Sequence, residues 1–281
     1  MVINFIDDST NIIGFNDHGK IQGYMEKYYV LLSKFYNINK LKINNDKNKM
    51  IIINKPKWDN IFKNFTFKAG NHIVKAKPKI KILGIWLQNN LKMDSQVNQL
   101  ASNLHNRINA INKIKPFTNF KSRLSFLNAY VIGKFNYMLP LYNKLPNHLN
   151  TKLHKILMTA ARCAVGSYCF KKSNRYILDK CNWLPLEKMI TLSSLNFIYN
   201  IEKYKKPKGV LKIFRNSKYD RQKQKLSVSY IPKYKSYSKF FIYDKIALFN
   251  EIPTDIKEKS KKIFKNELKM WIKIQPVDTN D

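Results

Sequence analysis

The run Val2-Ile3-Asn4-Phe5-Ile6-Asp7-Asp8-Ser9-Thr10-Asn11-Ile12-Ile13-Gly14-Phe15 decides how the chain begins. Residues 2–6 (VINFI) and 10–15 (TNIIGF) are short β-prone runs, and the acids between them sit where a hairpin would turn. From His18 to about Asn37 the apolar residues Ile21, Met25, Tyr28, Leu31, Leu32 and Phe35 recur at helical spacing. Strand, turn, strand and helix predict an α+β opening with an acidic tip.

Working outward, Met50–Asn54 (MIIIN) reads as a short buried strand. Ile61–Phe67 and His72–Lys75 read as a hairpin turning at Ala69-Gly70, and Ile80–Leu87 (IKILGIWL) as one more strand. Beyond Lys92 the period changes. Val97, Leu100, Leu104, Ile108, Ile111 and Ile114 mark a helix that ends before Pro116. Further helices are expected over Lys121–Tyr142, Asn147–Val165, Asn174–Cys181 and Leu186–Tyr204, the last with Pro185 near its first turn. Residues 205–238 are basic and poorly periodic, an exposed linker by this reading, and a final helical unit follows at Phe240–Asn250 and Lys257–Lys273. Three regions result: α+β over 1–92, helical over 93–205, and basic linker plus C-terminal helices over 206–281.

Charge narrows the partner. The 281 residues carry 52 Lys and Arg against 18 Asp and Glu, a net charge of +34, and such a field draws in polyanions, nucleic acid above all. All but six of the basic residues are Lys, and Asn and Ile are abundant, which is also the composition an AT-rich genome imposes. Cys163, Cys169 and Cys181 are odd in number and lack CxxC spacing, so neither a disulfide framework nor a zinc knuckle is expected. His18, His72, His105, His148 and His154 are scattered without metal spacing, and Trp86, Trp183 and Trp271 lie in apolar patterns that predict core anchors. Two acids follow the apolar start at once, and no run reaches the ~18 apolar residues of a membrane span. A soluble intracellular protein, nuclear or cytoplasmic, with no membrane partner is the expectation.

Adjacent carboxylates repel unless a cation neutralises them. Asp7-Asp8 therefore reads either as a plain polar turn or as a divalent-metal site. Nucleotidyl transfer requires the second: two Mg²⁺ ions activate a primer hydroxyl and steady the leaving pyrophosphate, and hard Mg²⁺ takes oxygen ligands.

Context sharpens the choice. Phe5-Ile6-Asp7-Asp8 between β-runs resembles the reverse-transcriptase motif usually written Tyr-Ala-Asp-Asp. Leu41-Lys42-Ile43-Asn44-Asn45-Asp46-Lys47 is similar to the Leu-x-(Ile/Leu)-Asn-x-x-Lys segment of the same enzymes, and Lys81-Ile82-Leu83-Gly84-Ile85-Trp86-Leu87 to their Lys-Tyr-Leu-Gly-Val-x-Leu strand leading from palm to thumb. Later segments extend the likeness: Phe126–Val131 with Phe135-Asn136-Tyr137, Cys181-Asn182-Trp183-Leu184-Pro185-Leu186, and Leu248–Pro253 with Phe264-Lys265 to Trp271. The chain resembles, over nearly its whole length, the C-terminal part of a LINE-type (non-long-terminal-repeat) retrotransposon reverse transcriptase.

That resemblance implies an RNA-directed DNA polymerase, with the trailing part of a polymerase palm followed by an all-α thumb. Asp7 and Asp8 would be the catalytic metal-binding acids, with Mg²⁺ as cofactor, and Lys47 would lie by the incoming triphosphate. Lys75, Lys77, Lys79, Lys81 and Gly84 would follow the template-primer, so RNA and DNA are the implied partners. Only six residues precede Asp7, so the fingers, an earlier metal-binding aspartate and an endonuclease domain are not in this sequence. The expectation is a truncated enzyme, inactive alone, with a further chain supplying fingers and palm. The alternative is a non-catalytic basic nucleic-acid-binding protein derived from a reverse-transcriptase thumb.

Overall fold

A computed structural model describes residues 2–5, 8–15, 17–53, 62–166, 172–211, 214–216, 226–228 and 240–275. Helices and short antiparallel ladders are both present, an α+β composition, and the chain divides into two compact units, Met1–Gln96 and Val97–Asp281.

In the first unit β1 (Val2–Phe5) pairs antiparallel with β2 (Asp8–Asn11), Phe5 opposite Asp8. The second strand thus starts at Asp8 and stops at Asn11, earlier than the 10–15 run suggested. A helical turn over His18–Lys20 leads into α1 (Ile21–Ile38). Met25 and Tyr29 on α1 pack against Met50, Phe67, Ala69 and Val74 of the small core. Phe67, Ala69 and Val74 come from the hairpin β3 (Thr66–Ala69) and β4 (His72–Lys75), whose alternation puts them inward while Lys68, Ile73 and Lys75 face out.

Two strand expectations need correction. Met50–Asn54 contributes only one parallel bridge, Met50 with Ala76, among its described residues. Ile80–Leu87 is not one strand but two, β5 (Lys79–Ile82) and β6 (Ile85–Gln88), reversing at Leu83-Gly84. Both turn residues have positive φ, 46° and 85°, the condition for a two-residue hairpin loop that matches strand twist. The continuous apolar run concealed a turn that Gly84 makes possible.

Among its described residues the second unit is helical apart from one short ladder. α2 (Asp94–Lys113) buries Val97, Leu100, Leu104, Ile108 and Ile111, the residues its period selects. The helix expected over Lys121–Tyr142 is broken. α3 (Phe120–Leu127), capped by Asn119 Oδ1 accepting from the Ser122 amide at 2.9 Å, runs into a wide turn over Asn128–Ile132. Met138 is left-handed, and Pro140, which has no N–H to continue a helix, sits in a tight turn over Leu139–Tyr142.

α4 (Asn147–Val165), α5 (Asn174–Lys180) and α6 (Leu186–Tyr204) follow the sequence closely. After α6, the linker region contains an antiparallel pair, β7 (Phe214–Asn216) with β8 (Leu226–Val228). Asn250 clasps β8 as a strand would, accepting from the Leu226 amide at 3.0 Å and donating to its carbonyl at 2.9 Å. α7 (Phe241–Glu251), α8 (Thr254–Glu258) and α9 (Lys261–Ile274) complete the chain. Leu195, Ile198 and Tyr199 of α6 share one core with Phe249, Ile252, Phe264, Leu268 and Ile272, so a boundary at 205/206 would divide a single core.

α7 is pinned to the Asn143-Lys144 turn through Asp244. Its carboxylate pairs with Lys144 and, at 3.0 Å, with Lys245, and accepts from Asn143 Nδ2 at 3.2 Å. Burial pushes this carboxyl up, but the bonds and charges of Lys144 and Lys245 outweigh it and leave it below the usual range. A depressed folded-state value means stabilisation that is complete above the unfolded pKa of ~3.9 and lost as pH falls through the folded one. Asp244→Asn should cost about 1–3 kcal/mol at pH ~7, and the difference from wild type should shrink steadily below pH ~4. Urea midpoints compared at both pH values check this; a constant difference would remove Asp244 from the ionic account.

Candidate functional site

β2, which opens at Asp8, is tied to α1. Ile6 and Asp7 lie outside the described residues, as does the side chain of Asp8, whose backbone opens β2. On β2 itself, Ser9 Oγ hydrogen-bonds Tyr36 Oη at 2.8 Å, and Asn11 Oδ1 accepts from Tyr28 Oη at 2.7 Å. Tyr28 and Tyr36 stand eight residues apart, two turns and a little more, and so share a face. Burial, followed by the neighbouring Tyr24 and Tyr36, pushes the Tyr28 hydroxyl up, so it stays a neutral donor.

The same helix reaches the lysine turn. Tyr29 Oη donates to Asn45 Oδ1 at 2.6 Å, and Asn45 opens the helical turn Asn45–Lys47, with Asn48 Nδ2 donating to the same oxygen at 3.2 Å. Lys47 is exposed at the end of that turn. Glu26, one turn before, accepts the Lys68 amide of β3 at 3.2 Å. Periodicity counted Tyr28 as an apolar residue and passed over Tyr29 and Tyr36; the asparagines facing them, far off in sequence, were the missing signal.

Lys75, Lys77, Lys79 and Lys81 are all exposed, alternating with Val74, Ala76, Ile80 and Ile82, which are buried or half-buried; exposed Pro78 is the exception. They alternate along β4, the bend at Pro78 and β5, every second residue of one continuous stretch of sequence. Lys79 lies 5.4 Å from the centre of the Trp86 ring, a cation–π contact that steadies one member. Lys77 donates its amide to the Met50 carbonyl at 2.9 Å, which fixes the link between the two ladders. Gly84 has a structural duty in the β5–β6 reversal besides any contact with a ligand.

Other sequence expectations resolve as core. Cys163 and Cys181 are buried free thiols, Cys163 pushed up by burial against the opposing charges of Lys115 and Arg123. Cys169 lies outside the described residues. Trp183 is buried, its Nε1 donating to Asn128 Oδ1 at 2.8 Å. Among the described residues no three His, Cys, Asp or Glu side chains gather as a metal site, and no helix is long and apolar enough to cross a membrane. The expected Mg²⁺ ligands, Asp7 and the side chain of Asp8, lie outside the described residues.

Compared with known proteins, the chain matches no family model, no curated protein and no solved structure.

Proposed function

We propose that this chain is the template-primer-handling part of a LINE-type reverse transcriptase, an RNA-directed DNA polymerase. Asp7 and Asp8 are its metal-binding acids, and Lys47 serves the triphosphate. The observation that carries the reading is α1. One helix bonds the acid-bearing hairpin through Tyr28 and Tyr36 and the Lys47 turn through Tyr29, so the two motifs belong to one assembly. Mg²⁺ held by Asp7 and Asp8 would supply activation of the primer hydroxyl and charge for the leaving pyrophosphate. The lysine row of β4 and β5 would bind phosphates as point charges, with little preference for sequence.

Titration of the full chain with a labelled RNA–DNA hybrid tests the proposal. For ~6 phosphate contacts, log K should fall against log salt with a slope near −5. Absence of binding at ~50 mM salt, or a flat salt response, would sink it. The 281-residue chain alone should not extend the primer with Mg²⁺ or Mn²⁺, because two carboxylates offer too few ligands to fix two ions in reacting geometry. Extension that disappears in the Asp7→Ala, Asp8→Ala variant would show that further ligands come from within the chain.

A further inference from the structure

α9 carries two opposed chemistries. Phe264, Leu268 and Ile272 are buried in the core, while Lys262, Lys265, Lys269 and Lys273 follow one another at spacings of three and four and so share another face. Two of their head groups, those of Lys269 and Lys273, are gathered on one residue. Lys269 Nζ donates to the carbonyl and Oδ1 of Asn182 at 3.2 and 3.4 Å, and Lys273 Nζ donates to that same Oδ1 at 3.4 Å. Those two ammoniums therefore lie no more than twice 3.4 Å apart. Asn182 can present both oxygens because it is left-handed, φ 54°, just past the end of α5. Lys188 of α6 donates to the carbonyls of Lys273 and Gln275 at 2.8 Å each, closing the C-terminus of α9 with a further cation.

Among the described residues this cluster has no paired anion. Burial pushes the Lys269 ammonium down, and the charges of Lys273 and Lys265 push it further the same way. Burial and then the Arg175 charge do the same to Lys188. Among the described residues none of these cations forms an ion pair. Nearby carboxylates are turned elsewhere: Glu267 pairs with Lys259 at 2.7 Å, and Glu187 accepts from Asn150 at 3.3 Å. Each ammonium has three donors. Lys269 uses two, Lys273 one and Lys265 none among the described residues, so most remain for an oxygen-rich ligand.

We propose that Lys269 and Lys273 on α9, braced by Asn182, together with Lys265 on the same face, form a phosphate-backbone contact for nucleic acid, distant in sequence from the lysine row of β4 and β5. A row of cations advancing ~6 Å per four helical residues suits a linear polyanion better than a compact one. This inference rests on the nucleic-acid reading above and adds a second site to it.

The test is a salt titration of the full chain with duplex, comparing wild type, the Lys265→Gln, Lys269→Gln, Lys273→Gln variant, and the same three positions changed to Arg. Loss of three contacts should make the slope shallower by about 0.9 each, and near 0.1 M salt affinity should drop on the order of 10²-fold. The Arg variant should keep the wild-type slope. A Gln variant with unchanged circular dichroism and a wild-type slope would overturn the site while leaving the proposed function standing. So would an Arg variant as impaired as the Gln one, since the lysines would then act only through Asn182. Loss of polyglutamate binding with the nucleic-acid slope intact would reassign the surface to an acidic protein. Failure of the wild-type chain itself to bind duplex at ~50 mM salt would remove both readings.

Discussion

A fragment spanning residues 93–281 is expected to fold alone, whereas residues 1–96 alone are expected to stay largely unfolded. Among its described residues the first unit gathers a small cluster, Met50, Phe67, Ala69 and Val74, with Phe62 and Ile80 also buried. Its α1 has 18 residues and buries none of them fully, leaving Val30, Leu31, Phe35 and Ile38 exposed. Among the unit's described residues the strands form three two-stranded ladders, and an isolated hairpin is marginal in water. So little burial does not offset chain entropy of ~1–2 kcal/mol per residue. The second unit buries many more apolar residues: α2 to α6 follow one another through short connections, and an eight-residue cluster around Tyr199 closes α6 on α7 and α9 across a longer loop. Starting at residue 93 keeps α2 whole. With the α9 lysines present and the β4–β5 row absent, the fragment should bind duplex with a slope of roughly −3, about half that of the full chain. Far-UV circular dichroism and a cooperative melt decide the folding claim; an unfolded 93–281, or one with no salt-dependent binding, would mean that the two units fold and bind only together.

How far the sequence carried depends on how local each determinant is. α4 and α6 were legible to the residue because Pro146 and Pro185 stand before them and Gly166 and Lys205, both at positive φ, end them. The acid-bearing hairpin was legible in kind but not in register, because its second strand is the polar Asp8–Asn11 and not the apolar 10–15 run. The β5–β6 reversal was not, because Leu83 and Ile85 flank Gly84 with the apolarity of a buried strand. Neither was the break after α3, where an apolar helical period continues through Met138 although Pro140 cannot. Long-range pairings left no local trace. Tyr29 meets Asn45 across 16 residues and Lys269 meets Asn182 across 87, so periodicity could classify those side chains but not pair them.

The core shared by α6 and α9 yields the largest single-residue effect. Phe264 is fully buried and stacks on Tyr199, ring centroids 3.8 Å apart at 10°. Tyr199 in turn donates its hydroxyl to the Lys259 carbonyl at 2.6 Å, and Lys203 lies 5.1 Å from its ring centre. Phe264→Ala removes the stacked ring and leaves a cavity walled by α6, α7 and α9, which should cost about 3–5 kcal/mol. For a unit of this size that is a fall in Tm on the order of 10 °C. Tyr199→Phe keeps the stack and removes one hydrogen bond, and Lys203 Nζ remains as a donor to the same carbonyl at 2.5 Å, so about 1 kcal/mol is expected. The contrast separates packing from polar closure at one site. Equal small effects, each under ~1 kcal/mol, would mean that the C-terminal helices do not share a cooperative core with α6 and that residues 206–281 form an independent unit after all.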